Sequence, residues 1–132
     1  MKVVDASVVL QWLLEEPSTA SSAILDAHLD GSEALVAPEL LNYEVGNVLA
    51  TKINLTSDDA SELFDNFLDL GIEPYSLGAD DYRASLQLAH RYRLTVYDAS
   101  YLALAMALQV KLVTADKRFS ARATPLKVVE TT

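Results

Sequence analysis

A carboxylate interrupts an apolar run near the start of the chain, Val3-Val4-Asp5-Ala6-Ser7-Val8-Val9. Val3 and Val4 are β-branched and suit a buried strand, Ser7 suits a helix N-cap, and apolar residues resume at once, so the run reads as strand, tight turn, helix. Asp5 then stands at the carboxyl end of the first strand. In open α/β sheets ligands gather in the crevice outside such strand ends, although an aspartate there serves equally well as a turn or capping residue. The rest of the chain decides between these readings by whether it brings further carboxylates to Asp5.

After Ser7, the residues Val8, Val9, Trp12 and Leu13 make a short helix with Trp12 in the core, expected to stop before Pro17. A second helix is expected over 18–30, with Ile24, Leu25, His28 and Leu29 on one face and Gly31 ending it. His28 on that apolar face reads as a packing residue rather than a ligand. Residues 34–37 form a short buried strand, closed by Pro38 at the first turn of a helix over 38–52. Leu41, Val45, Val48 and Leu49 form the apolar stripe of that helix, and the missing i+3 position is Glu44. A buried, ionised Glu costs several kcal/mol unless it is paired, metal-bound or protonated; the bland alternative is a stripe edge from which Glu44 snorkels to water. Asn47, one turn on, either supports such a site or is merely exposed.

A fourth helix over 56–70 carries Ala60, Leu63, Phe64, Phe67 and Leu68 inward and ends at Gly71. Its acids Asp58, Asp59, Glu62, Asp65 and Asp69 fall off the stripe and read as a solvated face. Pro74 makes 72–76 an edge strand at best. A helix over 79–93 follows, with Tyr82, Leu86 and Ala89 expected inward and Arg83, Gln87, His90 and Arg91 forming a cationic ridge. Residues 94–108 are small and apolar all round, so their helix should be buried on most sides, with Asp98 at its start as N-cap or ligand. Residues 111–119 give a buried strand ending in Thr114, Asp116, Lys117 and Arg118, so Asp116 repeats the position of Asp5. Residues 127–129 close the sheet.

Alternating strands and helices argue for an α/β fold, a central parallel sheet flanked by helices on both faces, and 132 residues suffice for a single domain over 1–132. Asp5 and Asp116 share one sheet edge, so Asp5, Glu44, Asp98 and Asp116 can converge if their strands are neighbours. Four close carboxylates repel one another unless a cation intervenes, and all-oxygen ligation suits Mg2+ or Mn2+, which activate water and stabilise phosphoryl oxygens. The chain has no cysteine, which excludes disulfides and thiolate metal sites and permits a cytoplasmic location. No apolar run approaches the roughly eighteen residues of a membrane span and no basic leader precedes one, so a soluble, unprocessed protein is expected.

The formal net charge of −9 argues at first against a nucleic-acid partner. The distribution says otherwise: residues 1–82 hold two Lys and Arg against sixteen acids, whereas residues 83–132 hold eight against three. The split suggests a cationic face, the bland alternative being scattered solvated charges; on the first reading Arg83, His90, Arg91, Lys117 and Arg118 are the residues over which a nucleic acid would approach.

Four pieces resemble the PIN-domain ribonucleases, and within them the small VapC-like toxins of toxin–antitoxin pairs: Val-Val-Asp5-Ala-Ser7; Pro38-Glu-Leu-Leu-Asn-Tyr-Glu44; Tyr97-Asp98-Ala-Ser-Tyr-Leu-Ala-Leu-Ala; and Leu-Val-Thr114-Ala-Asp116-Lys-Arg-Phe119. They occur in the family's order and span the chain. The resemblance implies that Asp5, Glu44, Asp98 and Asp116 are an acidic metal-binding quartet, that Ser7 and Thr114 are its supporting hydroxyls, and that the protein cleaves single-stranded RNA with Mg2+ or Mn2+. It also implies a homodimer and an antitoxin that blocks the cleft. A non-catalytic PIN-like scaffold is the alternative. An aspartate-nucleophile phosphatase fits less well, because the acid such enzymes place two residues after the first Asp is here Ser7.

Overall fold

The computed structural model describes residues 1–14 and 17–132. Five short strands form one sheet: β1 (Lys2–Val4), β2 (Leu35–Pro38), β3 (Glu73–Tyr75), β4 (Lys111–Thr114) and β5 (Val129–Thr131). Their spatial order is β3-β2-β1-β4-β5, and every pairing is parallel. Val3 faces Val36 on one side and Leu112 on the other, and Val4 faces Val113. Consecutive strand residues point to opposite faces, yet Val3 and Val4 are both fully buried, so helices cover both faces.

The helices are α1 (Ala6–Leu14), α2 (Thr19–Leu29), α3 (Leu40–Thr51), α4 (Ser57–Asp69), α5 (Ala79–Tyr92), α6 (Val96–Leu108) and α7 (Lys117–Ala123). The expected end of the first helix, between Leu14 and Pro17, lies outside the described residues. Chain order runs outward from β1 through β2 to β3, then returns across α5 and α6 to β4 on the other side of β1. The order reverses between β1 and β4. A crevice opens at such a switch point because the connections leave the two strands in opposite directions.

Several expectations need correction. Pro38 is the last residue of β2 rather than the first turn of α3; it has no N–H, and the next residue donates instead, Glu39 N–H to the Tyr75 carbonyl at 3.1 Å. Leu29, Leu68, Tyr82 and Leu86 are exposed, not inward. On α5 the inward side is Ala84, Ser85, Leu88, Ala89 and Tyr92, because α6 opposite it is lined with small residues and the two helices pack closely. His28 is a structural tie between three segments: it accepts the Leu35 N–H at Nδ1 (3.2 Å), and its Nε2 lies 2.6 Å from the Leu70 carbonyl. The closing strand begins at Val129, since Lys127 has a left-handed backbone, φ 55°.

Candidate active site

Asp5 follows β1 directly and is 5 % exposed. Its Oδ1 accepts hydrogen bonds from the Ser7 N–H (3.0 Å), the Val8 N–H (3.4 Å) and the Ser7 hydroxyl, while Oδ2 accepts from the Thr114 hydroxyl. Helix α1 starts at Ala6, so Asp5, and not Ser7 as expected, caps it. The Ser7 and Thr114 hydroxyls each donate their one proton to Asp5. In turn they accept backbone N–H groups from the turn after β4, Ala115 N–H to Ser7 at 2.8 Å and Asp116 N–H to Thr114 at 3.0 Å. Burial pushes the Asp5 carboxyl up to about 6, against the opposing pull of the Ser7 and Thr114 hydroxyls.

Asp116 stands at the corresponding end of β4 and is the N-cap of α7, accepting the Arg118 and Phe119 N–H groups at Oδ1, both at 3.0 Å. Asp98 is not the N-cap of α6. Thr95 fills that place, its hydroxyl accepting the Asp98 N–H at 3.0 Å, and Asp98 lies in the first turn with its carboxylate available to other partners. Burial, and then the negative charge of Asp116, raise the Asp98 carboxyl above its ordinary range.

Glu44 projects half-buried from α3, between the buried Leu41 and Val45. Its Oε1 accepts the hydroxyl proton of Tyr101 at 2.6 Å. Burial raises its carboxyl, the Tyr101 bond opposes the rise and the Asp98 charge adds to it. The partner, Tyr101, has no role assigned from the sequence. One signal does point to it: three residues after Asp98 on the same helix puts it on the same face. Burial and the Glu44 carboxylate hold the Tyr101 phenol far above its ordinary range, so it remains a donor.

Asp5, Ser7, Glu44, Asn47, Asp98, Tyr101 and Asp116 line one open cavity of about 330 Å³. Thr114 lies beneath it, fully buried against Asp5. A larger cavity of about 670 Å³ between α3 and α4 offers a single carboxylate, Asp65, and lacks this chemistry. As the side chains stand, no group of three or more Asp, Glu or His among the described residues is placed to hold a cation. The donor set itself is carboxylate oxygen throughout, and burial raises the carboxyls of Asp5, Glu44 and Asp98, which fits a hard divalent cation such as Mg2+ or Mn2+. Lys117 and Arg118 open α7 beside Asp116 and are exposed. Arg83, His90 and Arg91 are exposed on α5 and do not line the cavity, and Arg83 pairs with Asp80 at 2.8 Å.

Residues 2–125 match the family model described as the PIN domain. Among curated proteins, the chain is 32 % identical to "Ribonuclease VapC3" of Pyrobaculum aerophilum, an alignment that covers 93 % of this chain and 98 % of that one. It is 35 % identical to "Ribonuclease VapC1" of Mycobacterium tuberculosis, over 90 % of this chain and 88 % of the relative. Two solved structures share the fold at lower identity. A toxin–antitoxin complex from Klebsiella pneumoniae superposes with a TM-score of 0.72 at 14 % identity, covering 99 % of this chain and 97 % of the other. FitAcB from Neisseria gonorrhoeae superposes with a TM-score of 0.70 at 19 % identity, covering 100 % and 97 %.

Proposed function

The chain belongs to the PIN-domain family, and from that premise we propose that it is a ribonuclease that hydrolyses phosphodiester bonds in single-stranded RNA with Mg2+ or Mn2+. The observation that carries this reading is the convergence of Asp5, Glu44, Asp98 and Asp116 on one cavity at the switch point of the sheet. The names of the relatives, ribonucleases over nearly the whole chain, support the choice of RNA as substrate.

In the proposed site Asp5, Glu44, Asp98 and Asp116 hold the cation, Ser7 and Thr114 fix the Asp5 carboxylate, and Asn47 lines the wall beside Glu44. When bound, the cation lowers the pKa of a water and offsets charge on the phosphoryl oxygens. The floor residue Asp5 has both oxygens engaged by hydroxyl donors and so keeps one orientation. Asp116 is steadied by two backbone N–H groups, and Glu44 by Tyr101. Lys117 and Arg118 meet the RNA phosphates at the rim, drawing a polyanion toward an acidic protein.

The solved toxin–antitoxin neighbours support a further part of the proposal, that the chain is the toxin of a pair and its cognate antitoxin covers the cleft in the cytoplasm. Among the described residues no helix is long and apolar enough to cross a membrane. We also place a homodimer contact on the α5 face, where Tyr82 and Leu86 are exposed one turn apart beside exposed Tyr43 and Tyr97. That helix is acidic in its first turn (Asp80, Asp81) and basic in its last (His90, Arg91), so two copies running antiparallel across a two-fold axis are self-complementary. Arg83, His90 and Arg91 are then assigned to the edge of that contact.

One observation favours a second reading, a non-catalytic scaffold: no three acids among the described residues are yet placed to hold a cation. Cleavage of a single-stranded RNA in Mn2+ or in chelator separates the two. The parent should cleave with metal alone, and Asp5→Asn should lose activity by orders of magnitude while keeping its fold. Cleavage by Asp5→Asn at the parent rate would remove the quartet from the chemistry.

A further inference from the structure

We propose that Tyr101 is a positioning residue of the acidic cleft and that it acts through Glu44; the inference rests on the metal-site reading above. Tyr101 is the bulkiest of the fully buried side chains, 1 % exposed, yet it also lines the cavity of the four carboxylates. A buried phenol must place its O–H against an acceptor. Here the hydroxyl reaches from α6 to α3 and donates to Glu44 Oε1 at 2.6 Å, joining positions 57 residues apart.

The carboxylates differ in how they are held. Asp5 is fixed from two sides by Ser7 and Thr114, and Asp116 by the N–H groups that open α7. Glu44 has a longer side chain with three rotatable bonds, on a helix where it is half-buried, and without a tether it samples several carboxylate orientations. Tyr101 supplies that tether. Its ring is locked by packing, so the anchor point is rigid, and occupying Oε1 leaves Oε2 of Glu44 as the oxygen for a cation. Ligands oriented by an outer partner of this kind typically lose 10- to 100-fold in metal affinity when the partner is removed, about the size of effect expected here.

The test is Mn2+ binding by calorimetry at one pH for the parent, Tyr101→Phe, Glu44→Gln and the double variant, with single-stranded RNA cleavage alongside. Phenylalanine keeps the ring and its packing, and thermal unfolding in chelator checks that each variant is folded at the assay temperature. Tyr101→Phe should bind Mn2+ about 10- to 100-fold more weakly and lower kcat with little change in KM for RNA. On the Glu44→Gln background the same change should have no further effect, since the residue it acts through is already altered. Parent-like affinity in Tyr101→Phe, or an equal loss on both backgrounds, would overturn the proposal while leaving the metal site standing. Parent-like affinity in Glu44→Gln would instead remove Glu44 from the ligand set and overturn the proposal, whereas a parent that binds no Mn2+ would overturn the metal-site reading itself.

Discussion

The Thr114 hydroxyl donates to Oδ2 of Asp5, a contact between residues 109 apart in sequence that exists because β4 lies directly beside β1. It joins the two strand ends that flank the switch point, and the same oxygen of Thr114 accepts the Asp116 N–H. One hydroxyl thus sets the spacing of two of the four acids.

Metal-free protein should lose stability as pH rises from about 4 to about 6. Asp5 has a folded-state pKa of about 6, above its unfolded value, so its penalty is absent at lower pH, where both states are protonated. The penalty grows between the two values and is complete above pH 6, amounting to on the order of 3 kcal/mol for a shift of roughly two units. Net charge pushes the same way, so the control is Asp5→Asn, whose melting temperature in chelator should depend more weakly on pH over this window. Mn2+ should restore most of the loss in the parent at pH 7. Identical pH profiles for parent and variant would mean that Asp5 is not the group responsible.

Thr95 and Asp98 should separate cleanly. Thr95→Ala removes the N-cap of α6 and should cost about 1 kcal/mol with or without metal. Asp98→Asn leaves that cap in place and relieves like-charge repulsion with Asp116, so its stability in chelator should change little or rise. The rise in melting temperature on adding Mn2+ should shrink in Asp98→Asn alone. Thermal unfolding of both variants in chelator and in Mn2+ reads the difference, and equal metal-induced shifts would take Asp98 out of the ligand set.

RNA affinity should carry a salt dependence set by the cations next to the cavity residue Asp116. Removing one cation that touches a phosphate of a single strand lowers the slope of log affinity against log salt by about 0.7. Lys117→Ala and Arg118→Ala should each show that reduction, because they directly follow the cavity residue Asp116 at the start of α7, and Arg83→Ala or Arg91→Ala should not, because they stand on α5, none of whose residues lines the cavity. Binding titrations at several salt concentrations measure it. A reduced slope for Arg91→Ala would return the α5 ridge to the RNA path.

Leu86→Asp should shift the protein toward monomer without unfolding it, since residue 86 is 65 % exposed in the single chain and stands outside the hydrophobic core. Sedimentation at several protein concentrations reports the state. An unchanged association constant would place the contact between copies on another face.

Much of this protein is written locally in its sequence. Two adjacent β-branched residues before Asp5 dictate a buried strand, and small apolar residues all round α6 dictate a central helix. Glu44 on an apolar stripe marks an acid that cannot be ignored. Those features depend on periodicity over one or two turns, which neighbouring residues fix by themselves. Capping is less legible: Ser7, Asp98 and Thr95 all favour helix starts by composition, and only the backbone path decides which oxygen reaches which N–H. So Asp5 caps α1, Thr95 caps α6 and Asp116 caps α7. Composition misleads on the face of α5, where the large apolar Tyr82 and Leu86 are exposed, whereas its packing partner α6 is lined by small side chains and faces Ala84, Ser85, Leu88, Ala89 and Tyr92. The convergence of the acids belongs to tertiary structure alone. Asp5 and Asp116 meet because the chain crosses back over the sheet to set β4 against β1, and Glu44 is held because Tyr101 reaches it from another helix. Such contacts join residues 57 to 109 positions apart, and no local periodicity encodes a distance across the fold.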